Sequence, residues 1–68
     1  MIELTYEDLS ILSECVLYRI NEMYKARASF LGFPDTLRKI DDDIEKLRKL
    51  NIKIAHIMTK LAQEQRTQ

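Results

Sequence analysis

The sequence predicts an all-α protein, an antiparallel two-helix hairpin with coiled-coil-like packing that assembles into a four-helix bundle. Three observations predict it. The second half of the chain carries a stripe, Leu37, Ile40, Ile44, Leu47, Asn51, Ile54, Met58 and Leu61, stepping alternately by three and four residues. A repeat of about 3.5 residues keeps one narrow seam against a partner helix, and here only Asn51 interrupts the apolar run. The single glycine, Gly32, and the single proline, Pro34, stand two residues apart and make one sharp break between two long helical segments. Charges along those segments complement each other only when the helices run antiparallel.

The first helix is expected over about residues 6–30. Thr5 is a good N-cap, Asp8 three residues on is a weaker version of the capping-box acid, and Leu4 and Leu9 occupy the positions of a hydrophobic staple. Glu7 and Asp8 put negative charge in the first turn, where the helix dipole favours it. Leu9, Leu12, Val16, Ile20, Met23, Tyr24, Phe30 and Leu31 fall on one broad face. Residues 31–34 form the turn, with Gly32 in the left-handed conformation that favours glycine just past a helix end.

The second helix is expected over about 35–63, with Asp35 or Thr36 serving its free amides and residues 64–68 fraying. Asp42 with Lys46 and Glu45 with Lys49 are favourably oriented pairs four residues apart. A short connection makes the helices antiparallel neighbours. Lys25 and Arg27 then face Asp41 to Asp43, and Glu14 and Glu7 face Lys53 and Lys60.

Composition bounds the function. A chain of 68 residues is one small domain, and domains of this size bury only roughly 60% of their unfolded surface. Cys15 is the only cysteine, so no disulfide can form within the chain, and a lone thiol suits a reducing cytosol. His56 is the only histidine, which speaks against a metal centre, and no cofactor is expected. Association between chains is the remaining way to bury more surface. Eleven basic and eleven acidic residues cancel, so the overall positive excess of a dedicated nucleic-acid binder is missing. No apolar run approaches a membrane span, and the start of the chain lacks the basic and apolar regions of a signal peptide. A cytoplasmic protein is the expectation.

No constellation of nucleophile, base or metal ligands emerges. Asp41, Asp42 and Asp43 splay around the helix rather than converge on an ion. Asn51 is the first candidate for a specific role, because a polar residue within an apolar seam fixes register and partner number. Ile11, Cys15 and Tyr18 form a second stripe away from the main face of helix 1, and Leu50 and Ile57 widen the seam of helix 2. These six residues are the candidate surface for an oligomer or a protein partner. Lys46, Lys49, Lys53 and Lys60 are the candidate contacts to nucleic acid.

Two resemblances follow from these residues. Leu37-Arg38-Lys39-Ile40-Asp41-Asp42-Asp43-Ile44, with Leu47, Leu50, Ala55, Ile57 and Lys60 after it, resembles the first helix of the all-helical chorismate mutases. The Ile-Asp step comes one residue early, and Asn51 and Ile52 occupy the region of a substrate-binding base, so that activity does not carry over. Ile2 to Leu12, an Ile-Glu-Leu-Thr cap leading into an amphipathic helix, resembles short two-helix proteins of bacterial and prophage genomes. That likeness implies a non-catalytic partner of a larger protein. The expected function is a self-associating interaction protein that binds or modulates a larger macromolecule, with a small DNA-associated regulator as the alternative.

Overall fold

The computed structural model describes residues 3–66. Helix α1 spans Tyr6–Ser29 and helix α2 spans Pro34–Arg66, and the two pack against each other. Arg27 meets Asp41 near the turn while Ser13 meets Asn51 farther from it, so the helices run antiparallel.

The start of α1 is a complete capping box. The Thr5 N–H donates to Asp8 Oδ2 at 3.0 Å, and the Asp8 N–H donates to Thr5 Oγ1 at 3.1 Å. Two of the amides that a helix start leaves unpaired are thereby satisfied. The Thr5 amide first, and its side chain second, hold the Asp8 carboxyl below the ordinary aspartate value of 3.8.

The turn is built differently from the expectation. Helix α1 ends one residue early, at Ser29, and Phe30 caps it with its N–H donating to the Arg27 carbonyl at 3.1 Å. The Phe33 N–H donates to the Phe30 carbonyl at 2.9 Å, and the two rings meet edge to face at 6.1 Å and 71°. Gly32 does not take the left-handed conformation, and a Cβ placed on it would meet nothing within 4 Å. Its role as a punctuation mark is therefore replaced by tight hydrogen bonds and an aromatic pair.

Pro34 occupies the first position of α2, where its missing N–H costs nothing, and the Leu37 N–H donates to the Phe33 carbonyl at 2.9 Å. Asp35 adds negative charge to this first turn. Helix α2 runs to Arg66, three residues past the expected end. Gln63, Glu64, Gln65 and Arg66 all favour helix, and the helix continues through them. Thr67 and Gln68 lie outside the described residues, as does Ile2.

The core is one line of side chains. Leu9, Val16, Ile20, Ile40, Ile44 and Ile54 are buried, with Met23, Leu47, Met58 and Leu61 packed against them. Helix α1 contributes its own alternating steps of three and four: Leu9, Ser13, Val16, Ile20, Met23 and Arg27 are all buried or half-buried. The broad apolar face expected for α1 is narrower than its sequence suggested. Leu12, Tyr24, Phe30 and Leu31 stay exposed, because one facing helix can cover only a narrow strip of another. The hairpin is a rod measuring 55 × 21 × 14 Å.

Two consequences can be measured. Gly32→Ala should raise stability by about 0.5 kcal/mol, because it restricts the unfolded chain and meets no obstacle in the folded one. A fall in the thermal midpoint would contradict this account of the turn. Asp8 has a depressed folded pKa, so its contribution is present above the unfolded value and is lost as pH falls through the folded value. Asp8→Ala should therefore lower the melting temperature at neutral pH, with the gap to the parent chain closing below pH 3.8.

Candidate functional site

The polar step in each seam finds the polar step in the other. The Ser13 hydroxyl donates to Asn51 Oδ1 at 2.8 Å, and both residues are half-buried between apolar neighbours. Asn51 is thus satisfied within the hairpin by a residue 38 positions away. A Ser or an Asn facing a leucine there would lose a hydrogen bond that water cannot fully replace, so the pair fixes the register of the two helices.

Two further contacts cross between the helices nearer the turn. Arg27 Nε donates to Asp41 Oδ1 at 2.7 Å, and a second guanidinium nitrogen reaches Oδ2 at 3.4 Å. This forked pairing raises the Arg27 pKa, through the hydrogen bond first and the charge of Asp41 second. Arg48 donates to the Tyr24 hydroxyl and places its guanidinium 5.6 Å from the ring centre, a cation–π contact.

The other expected charge pairs fare unevenly. Asp42 meets Lys46 at 3.5 Å, whereas Lys25 turns to Glu22 on its own helix at 3.5 Å. Among the described residues no ion pair joins Glu7 or Glu14 to Lys53 or Lys60, or Glu45 to Lys49. Glu7 and Glu14 stand two residues before Leu9 and Val16, and Lys53 and Lys60 stand two residues after Asn51 and Met58. Those positions are turned away from the seam, beyond the reach of a direct pair.

Contacts between the helices sort the remaining residues onto two flanks of the rod. Tyr24 with Arg48, and Tyr6 with Ala55, Thr59 and Ala62 in a shallow groove, mark one flank. Arg19 with Met23, Asp43, Lys46 and Leu47 in another shallow groove mark the opposite one. Seven residues bring a coiled-coil helix back to the same flank. Leu12 lies seven residues before Arg19, and Leu50 and Ile57 lie seven and fourteen after Asp43. Leu12, Leu50 and Ile57 therefore share the Arg19–Asp43 flank, exposed by 43%, 45% and 48% respectively.

Ile11, Cys15 and Tyr18 lie on the outer side of α1 and are all exposed, Tyr18 most of all. Ile11 and Leu12 line a shallow depression with Leu4 and Asp8, which makes the outer stripe continuous with the Leu12 flank at the open end of the hairpin. The candidate bases are all exposed. Lys46, Lys53 and Lys60 follow one another at intervals of seven, and Lys39 extends the same line toward the turn.

Sequence reasoning missed Ser13 and the line through Lys39. The signal for Ser13 was present: with serine allowed as a seam residue, α1 shows the same three-and-four stepping as α2. Among the described residues no cluster of His, Cys, Asp or Glu is arranged to hold a metal ion, and no helix is long and apolar enough to cross a membrane. The chain matches no known family, no curated protein and no solved structure.

A double-mutant cycle tests the Ser13–Asn51 pair. Ser13→Ala and Asn51→Leu should each destabilise the hairpin, while the double variant should be at least as stable as the parent. The coupling energy from chemical denaturation should be about 1 kcal/mol, and strictly additive effects would show that the two side chains do not act together.

Proposed function

We propose that this chain is a non-catalytic helical interaction protein whose hairpins associate into a four-helix bundle and bind or modulate a larger macromolecule. One observation carries the reading: six side chains are buried, while thirteen large apolar side chains are exposed among the described residues. A folded chain of 8.1 kDa ordinarily exposes about 4,500 Å². This hairpin exposes 5851 Å². The excess of about 1,400 Å² exceeds the roughly 800 Å² that each partner buries in a standard protein interface. The reading is also supported by apolar residues beside the seam, at positions where a two-stranded coil usually carries charge.

A second reading rests on the line of lysines. Lys39, Lys46, Lys53 and Lys60 stand about 10 Å apart on the outside of α2, a spacing from which side chains can reach successive phosphates. It makes the protein a small DNA-associated regulator.

Light scattering at micromolar concentration separates the readings from a bare hairpin. The expected mass is at least twice 8.1 kDa. A cooperatively folded monomer that gives no salt-dependent mobility shift with duplex DNA would overturn both.

A further inference from the structure

We infer that a second copy of the chain docks on the flank bearing Leu12, Leu50 and Ile57, with the turns of the two hairpins at the same end. The inference rests on the self-association proposed above and names the face, the occupant and the orientation. Three observations on the hairpin point there.

The first is which flank lacks a cover. On the opposite flank Leu17 is exposed as well, but Arg48 lies against Tyr24 there, and Arg27 and Asp41 close the turn end. On the Leu12 flank the apolar positions Leu12, Leu50 and Ile57 are about half exposed, and they adjoin the depression lined by Leu4 and Ile11. Seam positions together with one flank position are the pattern of a helix facing the centre of a bundle. Covering that flank with a second hairpin removes Leu12, Leu50 and Ile57 from water twice over, once in each copy.

The second is surface. The excess of about 1,400 Å² over a compact chain of this mass has to be found on each copy. A flank of a rod 55 Å long and 21 Å wide spans about 1,150 Å², more than the roughly 800 Å² each partner buries in a standard interface. A single helix from an unrelated partner would cover only part of the flank, whereas a second hairpin matches it in length and width.

The third is charge, and it chooses the orientation. The outer border of this flank carries Asp8 and Glu22 on α1, and Lys39, Lys46, Lys53 and Lys60 on α2, with Glu22 also meeting Lys25 and Lys46 also meeting Asp42 within the hairpin. A two-fold axis along the rod sets α1 of one copy beside α2 of the other. Asp8 then lies level with Lys53 and Lys60 of the second copy, and Glu22 lies level with Lys39 and Lys46. Arg19 also comes level with Asp43 of the second copy. An axis across the rod sets α1 against α1 and α2 against α2, which brings lysine against lysine and acid against acid. Such pairs contribute little stability singly, but like charges along a whole border discriminate between two otherwise similar packings. The chain's zero net charge leaves no general repulsion to oppose the pairing.

Light scattering on three chains and a label at the turn test this together. The parent chain and Ile52→Glu, which alters an exposed apolar residue away from the flank, should both have twice the 8.1 kDa mass. The Leu50→Glu, Ile57→Glu double variant should be a monomer that keeps its helical circular dichroism, since neither residue is in the core. Gly32→Cys in a Cys15→Ser background, labelled with pyrene, should give excimer emission in the dimer, because both turns lie at one end. Turns at opposite ends would stand roughly a rod length apart and give none. A monomeric parent chain would overturn the self-association reading and this inference with it. A dimeric parent whose double variant remains dimeric, or whose labelled turns give no excimer, would overturn the face or the orientation and leave self-association standing.

Discussion

Everything in this molecule depends on a seam one side chain wide between two helices. A helix facing a single neighbour can hide only the residues that return to the same line every three or four positions. Leu9, Val16 and Ile20 on α1 and Ile40, Ile44 and Ile54 on α2 occupy that line and are buried. Leu12, Leu50 and Ile57 are equally apolar, yet they sit one position off the line and remain about half exposed. The difference is geometric. No exchange of one aliphatic residue for another would hide them within an isolated hairpin.

The same constraint gives the polar residues of the seam their meaning. Ser13 and Asn51 cost burial that leucine would have supplied, and they return one hydrogen bond of 2.8 Å. Sliding either helix by a turn would place the Asn51 amide against an aliphatic side chain and leave it unpaired. The apolar residues alone are too alike to prevent such a slip, since Leu9, Val16, Ile20 and Met23 are interchangeable partners for the isoleucines of α2. Arg27 with Asp41 adds a second fixed point near the turn. Register in this hairpin is set by two polar contacts and stability by the aliphatic line between them.

Much of the fold was legible from the residues. The stepping of α2, the Thr5–Asp8 cap and the single break near Pro34 each report a local rule that tertiary structure had no reason to override. The core of Leu9, Val16, Ile20, Met23, Ile44, Leu47, Ile54 and Met58 followed from them. Three features were misjudged, two of them because they depend on the partner helix and one because of contacts within the turn itself. The apolar width of α1 exceeds what one neighbour can cover. Gly32 need not turn left-handed once Phe30 and Phe33 close the turn by hydrogen bonds and ring contact. Glu7 and Glu14 have the right order to meet Lys53 and Lys60 but point away from them. Asn51 was legible as an anomaly, although its partner was hidden because Ser13 interrupts the apolar pattern of α1.

The candidate surface was less legible because a flank is a property of two helices at once. Leu50 and Ile57 share a flank with Leu12 only through the register that Ser13 and Asn51 impose. A one-turn shift would carry Arg19 away from Asp43 and break the apolar patch into separate residues. The polar pair at the centre of the hairpin therefore also composes the surface at its side. The segregation of charge completes the argument, since the acids that border this flank lie on α1 and the bases on α2. In the dimer we propose, this arrangement would match the chain to its own copy in one orientation and oppose it in the other. The information that aligns the two helices within a hairpin is also the information that would align two hairpins with each other.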